Sequence, residues 1–327
     1  MTKVLVTGGQ GFLGSHIVTQ LLEEGKEVRV LARPGKESTN NSAKGINIFY
    51  GDIRDSEAVE TAVNGVDVVI HVVSNFRKGG SDNQEAYSVN VQGTENILNA
   101  AAKYDVRHLI HCSTIGVHGT VLEIPANEST PFNPTDLYQE TKLIAEQKVW
   151  KFYQDHNLPI TVIRPISLFG PDDRRMLKLF RMINKGNFFI VGSGEVLFHP
   201  TYIDDAVKGF LTCIENPKAY GEAFIVGGEQ YISLNQLCQI IADELKVKPP
   251  SLRLPMAPVL ALATICEKAC EPFGIEPPLH RRRVSFFQNN RAFSIAKAKQ
   301  VLDFEPQYSI QDCIRETLNG YVARGWI

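Results

Sequence analysis

Thr7-Gly8-Gly9-Gln10-Gly11-Phe12-Leu13-Gly14 is the stretch on which the reading of this chain turns. A short apolar run, Val4-Leu5-Val6, precedes it and predicts a buried parallel strand. Behind it, Leu13, Ile17, Leu21 and Leu22 recur at helical spacing and predict a helix over Ser15 to Glu24. Strand, glycine turn and helix in that order build an anion site. Glycine permits a tight turn and close backbone approach, and a helix N-terminus offers free N–H groups to a phosphate. The glycines stand at 8, 11 and 14, spaced three and three. The common dinucleotide fingerprint spaces its glycines two and three. A glycine cluster alone is a weak signal, but a strand before and a helix after it make dinucleotide binding the expectation.

The whole chain is compatible with that. Its 327 residues can bury a large core, as one domain or two interlocked ones. Hydrophobic residues make up 43% and charged ones 21%, ordinary for a soluble globular protein. A net charge of −2 gives no basic surface for nucleic acid or an anionic membrane, so neither is expected as a partner. The first strand begins by about the third residue, which predicts no signal peptide. Cysteines 112, 213, 238, 266, 270 and 313 form no CxxC pair, which points to reduced thiols and a cytoplasmic location. Cys266 and Cys270 lie four apart on a predicted helix with no histidine pair nearby, and read as core thiols; no metal site is expected.

Farther along, Glu27 to Ala32 predicts a second strand that ends at Arg33. In a doubly wound fold this end faces the adenosine ribose, where an acid holds the 2′-hydroxyl of NAD and an arginine suits the 2′-phosphate of NADP. Val28 to Lys36 contains no Asp or Glu, so Arg33 favours NADP, with NAD as the alternative. Strands follow at Ile46 to Tyr50, at Asp67 to Val73 and at Arg107 to Cys112. Between them lie a short helix capped by Ser56 and a long one over Asp82 to Tyr104. His71, alone in an apolar strand, reads as a packed core residue. This alternation predicts an α/β fold with a doubly wound parallel sheet.

Ser113 and Thr114 follow the fifth strand, and Tyr138-Gln139-Glu140-Thr141-Lys142 begins 24 residues beyond Thr114. Thr135 or Asp136 caps a helix there, and residues four apart share one helical face, so Tyr138 and Lys142 point the same way. A phenol with a pKa near 10 is a poor base. A nearby ammonium and an oxidised nicotinamide ring both favour the phenolate, which predicts a lowered pKa for Tyr138.

With these motifs in hand, the chain resembles the extended short-chain dehydrogenase/reductase superfamily, in its NAD-dependent epimerase/dehydratase branch. The resemblance rests on Thr7 to Gly14, Gly51-Asp52-Ile53, His71 to Ser74, Asn90 to Thr94 and Tyr138-x-x-x-Lys142. Arg164-Pro165, Phe169-Gly170-Pro171 and Tyr202 to Asp205 extend it. It implies Thr114, Tyr138 and Lys142 as a catalytic triad, with Tyr138 the acid/base and Lys142 also on the nicotinamide ribose. Gly8, Gly11, Phe12, Leu13 and Gly14 would hold the dinucleotide, with Arg33, Asp52, Ile53, Val72, Ser74 and Pro165 around it. Residues 1–171 form the dinucleotide-binding domain, to which 201–230 returns. Residues 172–200 and 231–327 form the substrate lobe. A homodimer paired through the helices around 82–104 and 136–155 is also implied.

The substrate lobe bears on the reaction. Sugar-nucleotide members of the family carry an asparagine where this chain has Ser167. They carry a phosphate-gripping arginine where it has Phe198, and an apolar ring cannot pair a diphosphate. The region is closer to the hydroxysteroid dehydrogenase and dihydroflavonol reductase branches. The expectation is hydride exchange between NADP(H) and a small molecule with a secondary hydroxyl or keto group. Arg174, Arg175 or Arg281-Arg282-Arg283 would replace the lost contact in a nucleotide-sugar epimerase or dehydratase, and a non-catalytic dinucleotide sensor is a third reading. Pro258 to Glu271 predicts an apolar helix, too short to span a bilayer and read as a buried or lid element without membrane contact.

Overall fold

Val4 and Val6 pack into the core on one side of a sheet and Leu5 into that on the other, the alternation a strand imposes on successive side chains. The computed structural model describes residues 1–35, 45–76, 83–270, 275, 277–279 and 284–327. Its main sheet holds β1 (Lys3–Thr7), β2 (Glu27–Ala32), β3 (Ile46–Tyr50), β4 (Val68–His71), β5 (His108–Cys112) and β6 (Ile160–Pro165). A seventh strand, Glu222–Val226, returns to the edge beside β6. Every pairing is parallel, and from that edge the order runs through β6, β5, β4, β1 and β2 to β3. The chain departs to opposite sides between β1 and β4. In such sheets ligands lie at that reversal, outside the carboxyl ends of the strands.

Helices cover both faces. On one side α1 (Phe12–Glu23) packs on α7 (Ile203–Leu211); on the other α2 (Ser56–Val63), α4 (Gly93–Lys103) and α5 (Leu137–Asp155) pack together. The N-cap of α2 is Asp55, whose carboxylate accepts from the N–H of Glu57 and Ala58; Ser56, expected there, is the first helical residue. The expected long helix from 82 is described from Asn83, and it is not uniform. A π-helical turn, Ser88–Gln92, separates Asn83–Tyr87 from α4, and such turns recur at functional sites.

Smaller elements make up the rest. The pair β7 (Ser167–Phe169) and β10 (Pro200–Tyr202) is parallel, and β9 (Leu197–Phe198) is joined antiparallel by Ile232–Ser233. Ser233 opens the helix Leu234–Leu245 with a reciprocal capping box through Gln236. The apolar helix Met256–Cys270 corrects the expectation of burial. Only Ala263 is buried in it, Leu262 and Ile265 are 58% and 64% exposed, and Cys266 and Cys270 are half-buried rather than core. No described helix is long and apolar enough to cross a membrane. Arg281, Arg282, Arg283 and Lys36 lie outside the described residues.

Candidate active site

The turn after β1 is shaped by contacts that only glycine tolerates. Gly8 has a φ of +76°, and a Cβ on Gly14 would sit 2.1 Å from the Gly8 carbonyl oxygen. The Gly11 N–H donates to that same oxygen at 2.8 Å, which closes the turn. Gly11 is also the N-cap of α1, with no side chain to satisfy the first turn and no acid in it. The free N–H groups of that turn therefore face the cleft with a positive helix end behind them. These features fit the diphosphate of a dinucleotide.

The cleft has a volume of about 680 Å³ and lies along the carboxyl ends of β1 to β6. Gly8, Gly11, Phe12, Leu13 and Gly14 line it at one end of the sheet, with Arg33, Asp52 and Ile53 beside them. Val72, Ser74, Thr114, Tyr138 and Pro165 line the remainder. Lys142 is the one expected site residue that does not; it is 2% exposed and its Nζ donates to the Cys112 carbonyl at 2.6 Å. Arg33 is exposed on the cleft rim, and its charge helps hold the Asp52 carboxyl below its usual range, behind the larger effect of the Arg54 guanidinium. Arg54 grips Asp52 through two side-chain bonds of 2.8 Å.

Tyr138 rises from the first turn of α5, which Asp136 caps by accepting the Gln139 N–H at 2.9 Å. Burial pushes its phenol up to about 12, while hydrogen bonding from the Ser74 and Thr114 hydroxyls and the charge of Arg175 oppose that rise. The Lys142 ammonium is turned toward the Cys112 carbonyl, so within the protein itself desolvation governs the phenol. Burial likewise draws Lys142 below its usual range, with Cys112 and Glu146 opposing. Phe76 packs edge-on against the Tyr138 ring, centroids 4.8 Å apart.

Of the supporting residues, Glu146 carried no expectation, Asn90 and Arg164 were named only as members of family motifs, and Arg175 only as a replacement phosphate contact. Asn90, on the π turn, accepts the Asn75 N–H at 2.7 Å and donates to Thr141 at 2.9 Å, so it ties the loop after β4 to α5. Glu146, one turn past Lys142, forms a buried pair with Arg164 of β6 at 2.5 and 3.2 Å and accepts the Trp150 indole N–H at 3.2 Å. Burial works against the Glu146 carboxylate, yet the Arg164 guanidinium holds its pKa below the ordinary value. The visible signal was a glutamate four residues after the lysine on one face. Arg175 lines the cleft 5.6 Å from the Phe12 ring centroid, anchored by Asp173 and the Leu168 carbonyl. His71 is the packed core residue expected, its ring held between Thr7 at 2.7 Å and Thr94 at 3.1 Å.

Comparison with known proteins agrees with this geometry. The model of the NAD dependent epimerase/dehydratase family matches residues 4–227. The chain belongs to that family. Its relatives include the 3 beta-hydroxysteroid dehydrogenase/Delta 5→4-isomerase of Mycobacterium tuberculosis, 29% identical over 98% of this chain and 90% of that protein. The decarboxylating sterol-4-alpha-carboxylate 3-dehydrogenase of Schizosaccharomyces pombe is 31% identical, with 97% of each chain covered. Among solved structures, gox2253 superposes with a TM-score of 0.86 at 28% identity over the full length of both chains. The UDP-glucose 4-epimerase of Thermus thermophilus, solved with NAD, shares the fold at a TM-score of 0.78 and 24% identity, again over both full lengths. This family member is an NAD(P)-dependent oxidoreductase with a Rossmann-type sheet.

Proposed function

We propose that this enzyme exchanges hydride between NADP(H) and an apolar secondary alcohol or ketone, of which a 3β-hydroxysteroid is the leading example, with Tyr138 as the acid/base. The observation that carries the reading is the gathering of Ser74, Thr114 and Tyr138 in one cleft with the uncapped N-terminus of α1. Oxidation of such an alcohol breaks its carbinol C–H and O–H bonds. The bound dinucleotide supplies the hydride acceptor, and in the reverse direction the donor. The proton passes to or from the Tyr138 oxygen. Held near 12 by burial, that phenol is protonated at neutral pH and ready to donate to a carbonyl oxygen. The Thr114 and Ser74 hydroxyls, hydrogen-bonded to the Tyr138 phenol, would hold the same oxygen, and Lys142 would brace the site from behind through the Cys112 carbonyl.

The apolar substrate is favoured because Phe198 stands where sugar-nucleotide members of the family are expected to carry a phosphate-gripping arginine. The lobe of residues 172–200 and 231–327 would hold that substrate over the cleft. Preference for NADP rests on Arg33 at the rim and on the lack of any carboxylate at the end of β2. A homodimer would pair the helices that begin at Asn83 and Leu137, which present Tyr87 and Tyr153, each 36% exposed. Monomeric mass by light scattering would overturn it. All six cysteines are free thiols, in keeping with a cytoplasmic protein.

The test is turnover of 3β-hydroxysteroids with NADP or NAD, followed by reduced cofactor. Net reduction is expected from wild type, and Tyr138→Phe should lose about 10²–10⁴-fold in kcat while still binding cofactor. A Phe variant with wild-type kcat would remove Tyr138 from the mechanism. Turnover without net cofactor change would establish the epimerase alternative, because an epimerase returns its hydride.

A further inference from the structure

The glycine turn answers only part of the charge that a dinucleotide brings. A diphosphate carries about two negative charges at neutral pH, whereas a helix N-terminus offers the equivalent of about half a positive one. No side chain makes up the difference locally. Thr7 to Ser15 contains no lysine or arginine, and the N-cap of α1 is a glycine. Among the described residues lining the cleft, the cations are Arg33 and Arg175. Arg33 follows β2 and acts on Asp52, at the end of the cleft read as the adenosine site. Arg175 is the cation left for the remainder.

It reaches the cleft from the segment between β7 and the helix Leu177–Asn184. Its guanidinium stands 5.6 Å from the ring centroid of Phe12, the first residue of α1. That ring is itself confined, since a Cβ on Gly170 would come within 3.0 Å of its Cζ. Asp173, whose side chain is 1% exposed, accepts from the Arg175 backbone N–H at 2.9 Å and from Nε at 2.7 Å. The Leu168 carbonyl accepts from Nη2 at 2.9 Å. Asp173 is fixed in turn: its N–H donates to the Gly170 carbonyl at 3.1 Å, and its carbonyl accepts the Tyr321 hydroxyl. None of these bonds takes up Nη1. The same guanidinium acts on the Tyr138 phenol, so it lies within electrostatic reach of both the glycine turn and the acid/base. A dinucleotide laid from that turn to Tyr138 carries its diphosphate along this interval.

We propose that Arg175 is a cofactor-binding residue that clasps the dinucleotide's diphosphate together with the N-terminus of α1. This rests on the reading of the cleft as a dinucleotide site and adds to it a residue from outside the glycine motif. A guanidinium fork matches phosphate oxygens, and charge-assisted bonds to them are stronger than neutral ones. Asp173 and Leu168 hold the fork in place beforehand, so little side-chain freedom is lost when the anion arrives. The contact at Phe12 sets Arg175 at the phosphate end of the cleft, whereas a substrate oxygen would meet Ser74, Thr114 and Tyr138. Cofactor retention then depends on the segment after β7 as well as on the turn after β1.

The experiment is calorimetric titration of wild type and Arg175→Gln with NADP, with ADP-ribose, which keeps the diphosphate but lacks nicotinamide, and with adenosine 2′-monophosphate, which lacks both. The Gln variant should bind NADP and ADP-ribose about three- to tenfold more weakly, below the range of a shielded charge-assisted bond because the Arg175 side chain is 48% exposed. Its affinity for adenosine 2′-monophosphate should stay within twofold of wild type. Raising salt should narrow the gap between the two proteins, and Arg175→Lys should keep part of the affinity as a point charge without the fork. Because Arg175→Gln strands the buried Asp173 carboxylate, the Asp173→Asn/Arg175→Gln double variant is titrated beside it and should show the same pattern. ADP-ribose binding unchanged in both variants would overturn the proposal. So would a loss confined to NADP, which moves the contact to the nicotinamide, or an equal loss for adenosine 2′-monophosphate, which marks general damage. Binding of ADP-ribose that depends on Arg175, without oxidation of any secondary alcohol, would uphold it and defeat the hydride exchange proposed above. Oxidation with a cofactor affinity indifferent to Arg175 would do the reverse.

Discussion

Replacing Gly14 by alanine places one methyl group where the structure has no room for it. The new Cβ would lie 2.1 Å from the Gly8 oxygen, 2.7 Å from its carbonyl carbon and 2.9 Å from the Gly9 Cα, all backbone atoms. To reach an ordinary contact, the glycine turn and α1 must separate by roughly 1 Å. That shift costs about 1–3 kcal/mol as overpacking of a tight site. It also moves the free N–H groups of the first turn relative to Gly8, the two sides of the diphosphate cradle. Losing one charge-assisted bond of about 1.5–3 kcal/mol would weaken the dinucleotide about ten- to a hundred-fold. The assay is calorimetric titration of NAD and NADP into wild type and Gly14→Ala, with urea unfolding alongside. Gly25→Ala is the control. That glycine has a φ of +73°, and an added methyl would meet nothing within 4 Å, so the variant should lose stability and leave cofactor affinity alone. If Gly14→Ala binds cofactor within twofold of wild type, α1 and the turn do not form the cradle described.

Three further outcomes are expected. Arg33→Ala should erase an NADP preference of about ten-fold, the low end for a charge-assisted contact because Arg33 is exposed, and salt should erode that preference in wild type; equal affinities in wild type would make Arg33 a surface charge only. Arg164→Met should cost about 3–5 kcal/mol in urea unfolding because it strands the Glu146 carboxylate, whereas the Glu146→Leu/Arg164→Met double variant should cost less than the single one; strictly additive losses would show that the buried pair is not coupled. Burial lowers His71 to about 3, while the unfolded chain keeps the ordinary value near 6.5. Between those values only the unfolded state takes up the proton, so stability falls as pH drops from about 6.5 toward 3 and is untouched above that window. His71→Gln should therefore flatten unfolding free energy against pH by about 1.4 kcal/mol per unit across that window, and an unchanged slope would contradict the buried neutral ring.

Much of the fold was local enough to be legible in the residues themselves. β2 and β3 have the bounds their apolar runs predict, and the helix over 234–245 starts at Ser233 because its capping box lies within four residues. The glycines at 8, 11 and 14 announced the turn, since a positive φ and a close backbone approach exclude any side chain. The relation of Tyr138 to Thr114 was expected by resemblance, and the fold brings both to one cleft. Other properties arise between segments far apart in the chain, where no local pattern records them. A helix apolar on all sides is ordinarily a buried one, yet Met256–Cys270 lies largely open because burial depends on what the rest of the chain brings to it. Tyr138 and Lys142 share a helical face, but the Cys112 carbonyl takes the ammonium and desolvation takes over the phenol. Asn90, 15 residues from Asn75 and 51 from Thr141, became a brace only when the π turn packed against α5. Arg291, 93 residues from Phe198, stands over that ring only because tertiary packing brings the two segments together. Charge, burial and partnership are properties of neighbourhoods in space, and chain order specifies them only through the folded structure.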